Sequence, residues 1–158
     1  MAIPSKILKF LEKAKVKYEP MEHRTVYTAH DKARTLRFSE KMIGKTLVLK
    51  ADKNLVLALI PANKNLDKNK FRKIAKVKKA DFVSEKLMKN KFKGMKVGAV
   101  PPFGGLWALP TFLDKSLLQN PKIIVSGGNY NWSIKITPAA LKKLMPDLIV
   151  GNFGQAKK

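Results

Sequence analysis

A chain of 158 residues with 45% hydrophobic side chains can fill the core of one domain, and it contains no Cys. The missing Cys excludes a disulfide framework and thiolate metal sites, and no apolar run approaches the ~20 residues a membrane helix requires. Its 33 Lys+Arg stand against 11 Asp+Glu, a formal net charge of +22, and so one-signed an excess favours a polyanionic partner over a paired, solubility-tuned coat.

The chain opens on "IPSKILKFLEKAKV", where Ile3, Ile7, Phe10, Leu11 and Ala14 fall at helical spacing. Lys6, Lys9 and Lys13 interrupt those apolar positions, which does not suit a signal peptide, and a soluble, cytoplasmic protein with no membrane partner is expected. "VKYEPMEH" reads as a short strand. In "YTAHDKARTL", Thr28 is placed as an N-cap with Asp31 three residues on, and a helical turn follows over Phe38–Met42.

"KTLVLKADKNLVLALIP" is the clearest hairpin, with runs at 46–49 and 55–60 flanking the turn residues Asp52, Lys53 and Asn54. Two basic helices follow, capped by Asp67 and Ser84, the second ended by Gly94. The uncharged loop "VGAVPPFGG" comes next. Its glycines and paired prolines exclude both an ordinary helix and a central strand. "LWALPTFLD" is expected to leave it as a strand. "KIIVSGG" and "WSIKI" form another strand pair, and "TPAALKKLM" a last helix with Thr137 as cap and Pro138 at its first position. Residues 1–152 read as one α/β (mixed α+β) domain, a mixed sheet or partial barrel flanked by helices. Residues 153–158 read as a short flexible tail.

Several chemistries are excluded by spacing. "IGKT" lacks the earlier Gly of a phosphate loop, where Ser39 stands, and is followed by a strand. His23 and His30 have no carboxylate cluster at metal-ligand spacing, so no metal and no cofactor are expected. Ser126 lies in "VSGG", not in a nucleophile elbow. Lys45 sits where a loop becomes a strand. A fixed ammonium there can serve a phosphate or ester oxygen, although by position alone a solvated strand-end lysine is the simpler reading.

The order "H…YTA…A", "GKTLVLKAD" with a return strand ending in Pro61, "GAVPPFG", "FLD" and "VSGG" resembles the YbaK/EbsC family, stand-alone relatives of the prolyl-tRNA synthetase editing domain. The resemblance runs from the first helix to about Leu144. It implies an editing-domain-like fold and a trans-acting aminoacyl-tRNA deacylase, a carboxylic ester hydrolase whose partner is the aminoacylated end of tRNA, with a synthetase as a second partner. By the same resemblance, Lys45 matches the family's essential lysine, and Gly98 and Pro102 match its Gly-x-x-x-Pro loop. Gly127 and Gly128 match the glycines after the later strand, and Asp114 the Asp of "FLD". His23 and Thr28 match positions flanking the pocket.

On these grounds Lys45 and Gly98 are the expected catalytic groups. His23, Thr28, Pro101, Pro102, Phe103, Gly104, Asp114, Ser126, Gly127 and Gly128 are expected to bind substrate with Lys45. The loop would act as a stiff apolar wall whose first glycine offers N–H groups to the ester carbonyl. This chain departs from the family where His30, Asp31 and Lys32 follow "TA", and where "NYNW" follows "SGG". Tyr130 and Trp132 are candidates for base stacking, with core packing the simpler reading for Trp132. The amino acid removed therefore cannot be copied from a relative. A non-catalytic module binding the tRNA acceptor end, and a small-molecule hydrolase, are the competing readings.

Overall fold

The computed structural model describes residues 2–157. In chain order the elements are α1 (Ser5–Lys13), β1 (Glu19–Glu22), α2 (Ala29–Leu36), β2 (Gly44–Ala51), β3 (Asn54–Pro61), β4 (Lys64–Leu66), α3 (Lys68–Ala75), β5 (Ala80–Phe82) and α4 (Glu85–Lys91). They continue with β6 (Thr111–Asp114), β7 (Ile123–Ser126), β8 (Trp132–Ile136), α5 (Pro138–Leu144), β9 (Ile149–Gly151) and β10 (Gly154–Ala156).

The hairpin forms as its sequence dictates. β2 and β3 pair in register from Gly44↔Pro61 to Ala51↔Asn54. Asp52 takes the left-handed conformation of the two-residue turn (φ 53°), and its carboxylate accepts the Lys78 and Lys79 N–H groups at 3.0 and 2.9 Å. This pair is the centre of a five-stranded sheet ordered β5-β2-β3-β6-β9, in which β6 runs parallel to β3 and β9 parallel to β6.

Because side chains alternate across a strand, β3 feeds two cores. Leu57 and Leu59 join Ile7 and Leu11 of α1, Leu141 of α5 and Phe103 on one side. Val56, Ala58 and Ile60 meet Phe71 of α3, Phe112 and Phe153 on the other. A second sheet, β1-β8-β7, lies beside the first and is joined to it by a parallel bridge between Ile43 and Ile124. The result is a mixed α+β domain.

The helix caps behave as the sequence indicates: Thr28, Asp67, Ser84 and Thr137 each accept an N–H from the third residue on. Two expectations change. "LWALPTFLD" is not one strand, because Gly104–Trp107 form a 3-10 turn and only Thr111–Asp114 pair with β3. Where the sequence suggests a tail from 153, Phe153 is fully buried and β10 pairs with β4. Burial of one aromatic ring fixes the strand that follows it.

Candidate active site

A cavity of about 420 Å³ opens where the start of β2, the N-terminus of α2, the Gly98 loop and the end of β7 converge. Tyr27, His30 and Lys157 are exposed at its mouth, while Lys32 and Ser126 are buried, with 8% and 6% of their surface accessible. Thr28, Lys45, Thr46, Asn129 and Tyr130 complete its polar lining, and no Asp or Glu among the described residues lines it.

Lys45 enters from the second pair of the hairpin, opposite Ile60, so its backbone is held by the pairing of β2 with β3. Its Nζ donates to the Lys64 carbonyl at 3.1 Å, which leaves two ammonium hydrogens for a ligand. Partial burial lowers its pKa and the Lys157 charge adds to the effect, with Glu40 opposing. Next to it, the Thr46 hydroxyl is buried with no hydrogen-bond partner among the described residues.

Lys32 was not a sequence candidate. It lies in the first turns of α2, and its Nζ donates to Ser126 Oγ at 3.1 Å. Burial lowers its pKa from 10.5 to about 8. Ser126 pairs across β7–β8 with the fully buried Ser133, whose hydroxyl lies 2.9 Å from His23 Nε2. His23 Nδ1 is 2.7 Å from the Arg24 carbonyl, which fixes the proton there and makes Nε2 an acceptor in the neutral ring. Burial lowers the His23 pKa, the Arg24 carbonyl opposes, and the Lys32 charge lowers it further. The imidazole therefore stands behind Ser133, away from the cavity lining.

Of the residues expected from sequence, Thr28, Lys45, Gly98 and Ser126 line the cavity. Gly98 adopts φ +84°, a conformation that strains a side chain, although a Cβ there would meet only open space. The loop is tied by Lys96 N to Gly128 O (2.9 Å), Ala99 N to Lys96 O (2.9 Å) and Gly128 N to Ala99 O (2.8 Å), none of which uses the Gly98 N–H. Tyr130 braces it from the side, donating its hydroxyl to Val97 O at 2.6 Å while its ring meets Tyr27 edge-on.

The rest of the loop turns inward. Pro101, Pro102, Phe103 and Gly104 are buried and do not line the cavity; Phe103 belongs to the main core. Gly104 is needed for close approach, since a Cβ there would lie 2.1 Å from Thr111 Oγ1. The apolar wall is thus limited to Gly98 and Ala99, with the prolines as its buried anchor. Gly127 and Gly128 also stand outside the lining. Gly127 N bonds Trp132 O at 3.2 Å, and Trp132 packs on the main core.

Asp114 is 1% exposed and lies off the cavity. Its carboxylate accepts the Phe153 and Gly154 N–H groups at 3.0 and 2.8 Å and the Ser116 hydroxyl, with Lys64 Nζ at 3.8 Å. Burial alone would raise its pKa, and these partners outweigh it and hold the carboxyl below the usual range. His30 contacts Glu40 at the rim. Tyr27, Thr46, Asn129 and Lys157, missed by the sequence reading, join through chain reversals that only the fold sets.

The aminoacyl-tRNA editing domain family matches residues 23–144, a span that begins at His23 and contains nearly all of this cavity. The chain belongs to that family, in its YbaK/EbsC branch. EbsC of Enterococcus faecalis, assigned by name as a Cys-tRNA(Pro)/Cys-tRNA(Cys) deacylase, is 30% identical over 141 residues, covering 87% of this chain and 85% of that protein. Two solved structures share the editing-domain fold. One, described as a trans-editing enzyme for prolyl-tRNA synthetase, has a TM-score of 0.82 at 24% identity over 96% of each chain. The other, the hypothetical protein APE2540, has a TM-score of 0.85 at 21% identity over 95% of this chain and 99% of that one.

Proposed function

We propose that this editing-family chain acts in trans on mischarged tRNA, hydrolysing the ester between a small, wrongly attached amino acid and the terminal ribose. The observation that carries this reading is a cavity without carboxylates, in which Lys45 on a rigid strand end faces the same space as a loop glycine with an uncommitted N–H. The deacylase name of EbsC supports the reaction class.

Water attacks the ester carbonyl. Its oxygen bonds to the carbonyl carbon, the bond to the ribose oxygen breaks, and that oxygen leaves as a hydroxyl after taking a proton. The products are the free amino acid and uncharged tRNA. The neighbouring ribose hydroxyl positions the water, so no protein nucleophile is needed. Lys45 holds the terminal phosphate or ribose, and the Gly98 N–H faces the oxygen on which negative charge develops. One such donor is worth ~3–4 kcal/mol of barrier. Tyr27 and Tyr130 offer rings at the mouth on which a terminal base can stack. Thr28 and Ser126 are polar walls, while His23 and Asp114 act indirectly, through Ser133 and through the C-terminal strand.

One methylene discriminates by only ~1–3 kcal/mol, the regime in which editing is required. The test is a deacylation panel of tRNAs carrying Ala, Ser, Asp, Cys or Pro. Cleavage of at least one ester well above its spontaneous rate is expected. If all remain intact while tRNA still binds, the protein is an acceptor-end binding module and the mechanism is wrong.

A further inference from the structure

Lys32 is the anomaly of this surface. The other described lysines are exposed or half-exposed, whereas this one is buried, and the only acceptor it reaches among the described residues is the neutral Ser126 hydroxyl. The one other buried charge among the described residues, Asp114, shows how this fold treats an ion it needs only for structure. It receives two backbone N–H groups, a hydroxyl and a nearby ammonium. Lys32 has no counter-ion among the described residues. An ammonium held from water by one neutral bond destabilises a fold, unless something outside the fold completes its shell.

The shell opens into the cavity, because Lys32 and Ser126 both line it at its deep end. Lys45 and the exposed Lys157 are also in the lining, and they suit a phosphate closer to solvent. With Lys45 and Lys157 taking a phosphate nearer solvent, the part of an ester substrate left to enter the buried end is the aminoacyl side chain. A methyl group there would leave the ammonium unpaired and dry. A hydroxyl would give it one hydrogen bond, and a carboxylate would give it both a bond and a charge. A site built around such a polar group rejects analogues that lack the complement far more strongly than an apolar pocket rejects a missing methylene.

We propose that Lys32, positioned by Ser126, is the specificity-determining group of this pocket and selects an aminoacyl side chain ending in an acceptor oxygen, a carboxylate before a hydroxyl. The inference rests on the deacylase reading and narrows its substrate class.

The experiment measures kcat/KM for aspartyl, seryl and alanyl esters on one tRNA, using wild type, Lys32→Met and Lys32→Gln, with binding of uncharged tRNA alongside. Melting curves check that each variant is folded. Wild type is expected to favour aspartyl over alanyl at least tenfold, with seryl between them. Lys32→Met is expected to lower the aspartyl-to-alanyl ratio by at least tenfold. Lys32→Gln should restore part of the seryl preference and none of the aspartyl. A wild type that cleaves alanyl ester as well as or better than the other two overturns the proposal and leaves the deacylase reading intact. If Lys32→Met slows all three equally and weakens uncharged tRNA to the same degree, the ammonium serves a phosphate, and the proposal is again overturned. A wild type that cleaves no ester removes the deacylase reading and this proposal together.

Discussion

Of the three lysines that line the cavity, Lys32 and Lys45 come from different elements, and their surroundings set them apart. Lys45 keeps one bond to Lys64 O and remains half-exposed, whereas Lys32 is buried with a neutral partner. The folded chain holds the Lys32 proton less tightly than the unfolded chain, with a pKa of about 8 against 10.5. Below pH 8 the penalty is fully present, about 3 kcal/mol at 1.36 kcal/mol per pKa unit. Between pH 8 and 10.5 the folded state has released the proton that the unfolded state still holds, so this contribution rises with pH. Lys32→Met is therefore expected to unfold at higher denaturant than wild type at pH 7, and the gap should narrow as pH climbs through that window. A variant less stable than wild type at pH 7 would contradict the burial argument. In the sequence Lys32 stands out only as one of three departures from the family pattern after Thr28-Ala29, and its burial comes from the packing of α2 against β7. Lys45 was legible through the family resemblance, since its place at the start of an apolar strand alone fits a solvated lysine as well.

At the level of elements, local chemistry was legible and long-range pairing was not. The hairpin turn at Asp52, the four caps and the helix α5 all depend on residues within a few positions of one another. The three-residue strands β4, β5, β9 and β10 depend on partners far along the chain, and no window of sequence encodes them. The Gly/Pro loop was half legible. Gly98 faces the cavity as its φ demands, but composition alone could not show that Pro101–Gly104 point into the core. Asp114 was misassigned for a related reason, since its partners Phe153 and Gly154 lie about 40 residues away.

Its true task is to latch the end of β6 to β10, and through β10 to place Lys157 at the cavity. Asp114→Ala should cost about 3 kcal/mol in urea unfolding, the scale of a buried charge-assisted network. The same change should lower kcat/KM without touching a lining residue. Asp114→Asn should retain part of both. Because its folded pKa is depressed, the Asp114 contribution is present above the unfolded carboxylate pKa and is lost as pH falls through the folded value. Unchanged stability in Asp114→Ala would refute the latch.

Across the whole molecule, charge is segregated from the chemistry it serves. α3, β5, α4 and their loops carry exposed lysines from Lys68 to Lys96, and Asp81 forms an ion pair with Lys68 at 3.5 Å. A surface of that kind binds phosphates by releasing counter-ions, at about 0.7–0.9 in salt slope for each. If about four phosphates are neutralised, raising salt fourfold from 50 mM should weaken tRNA binding about 50- to 150-fold. A combined Lys70→Glu, Lys73→Glu variant should flatten that slope, read by fluorescence anisotropy. Binding indifferent to salt would remove tRNA as the partner of this face.

Everything converges on whether Lys45 does its work in ester hydrolysis, so the most direct measurement is single-turnover deacylation of the best-cleaved mischarged tRNA by wild type and Lys45→Ala, with tRNA affinity measured on the same samples. A fall of at least a hundredfold in the first-order rate at saturating enzyme is predicted, with affinity reduced far less. An unchanged rate would mean that the reaction, if present, is not carried out in the cavity at the start of β2.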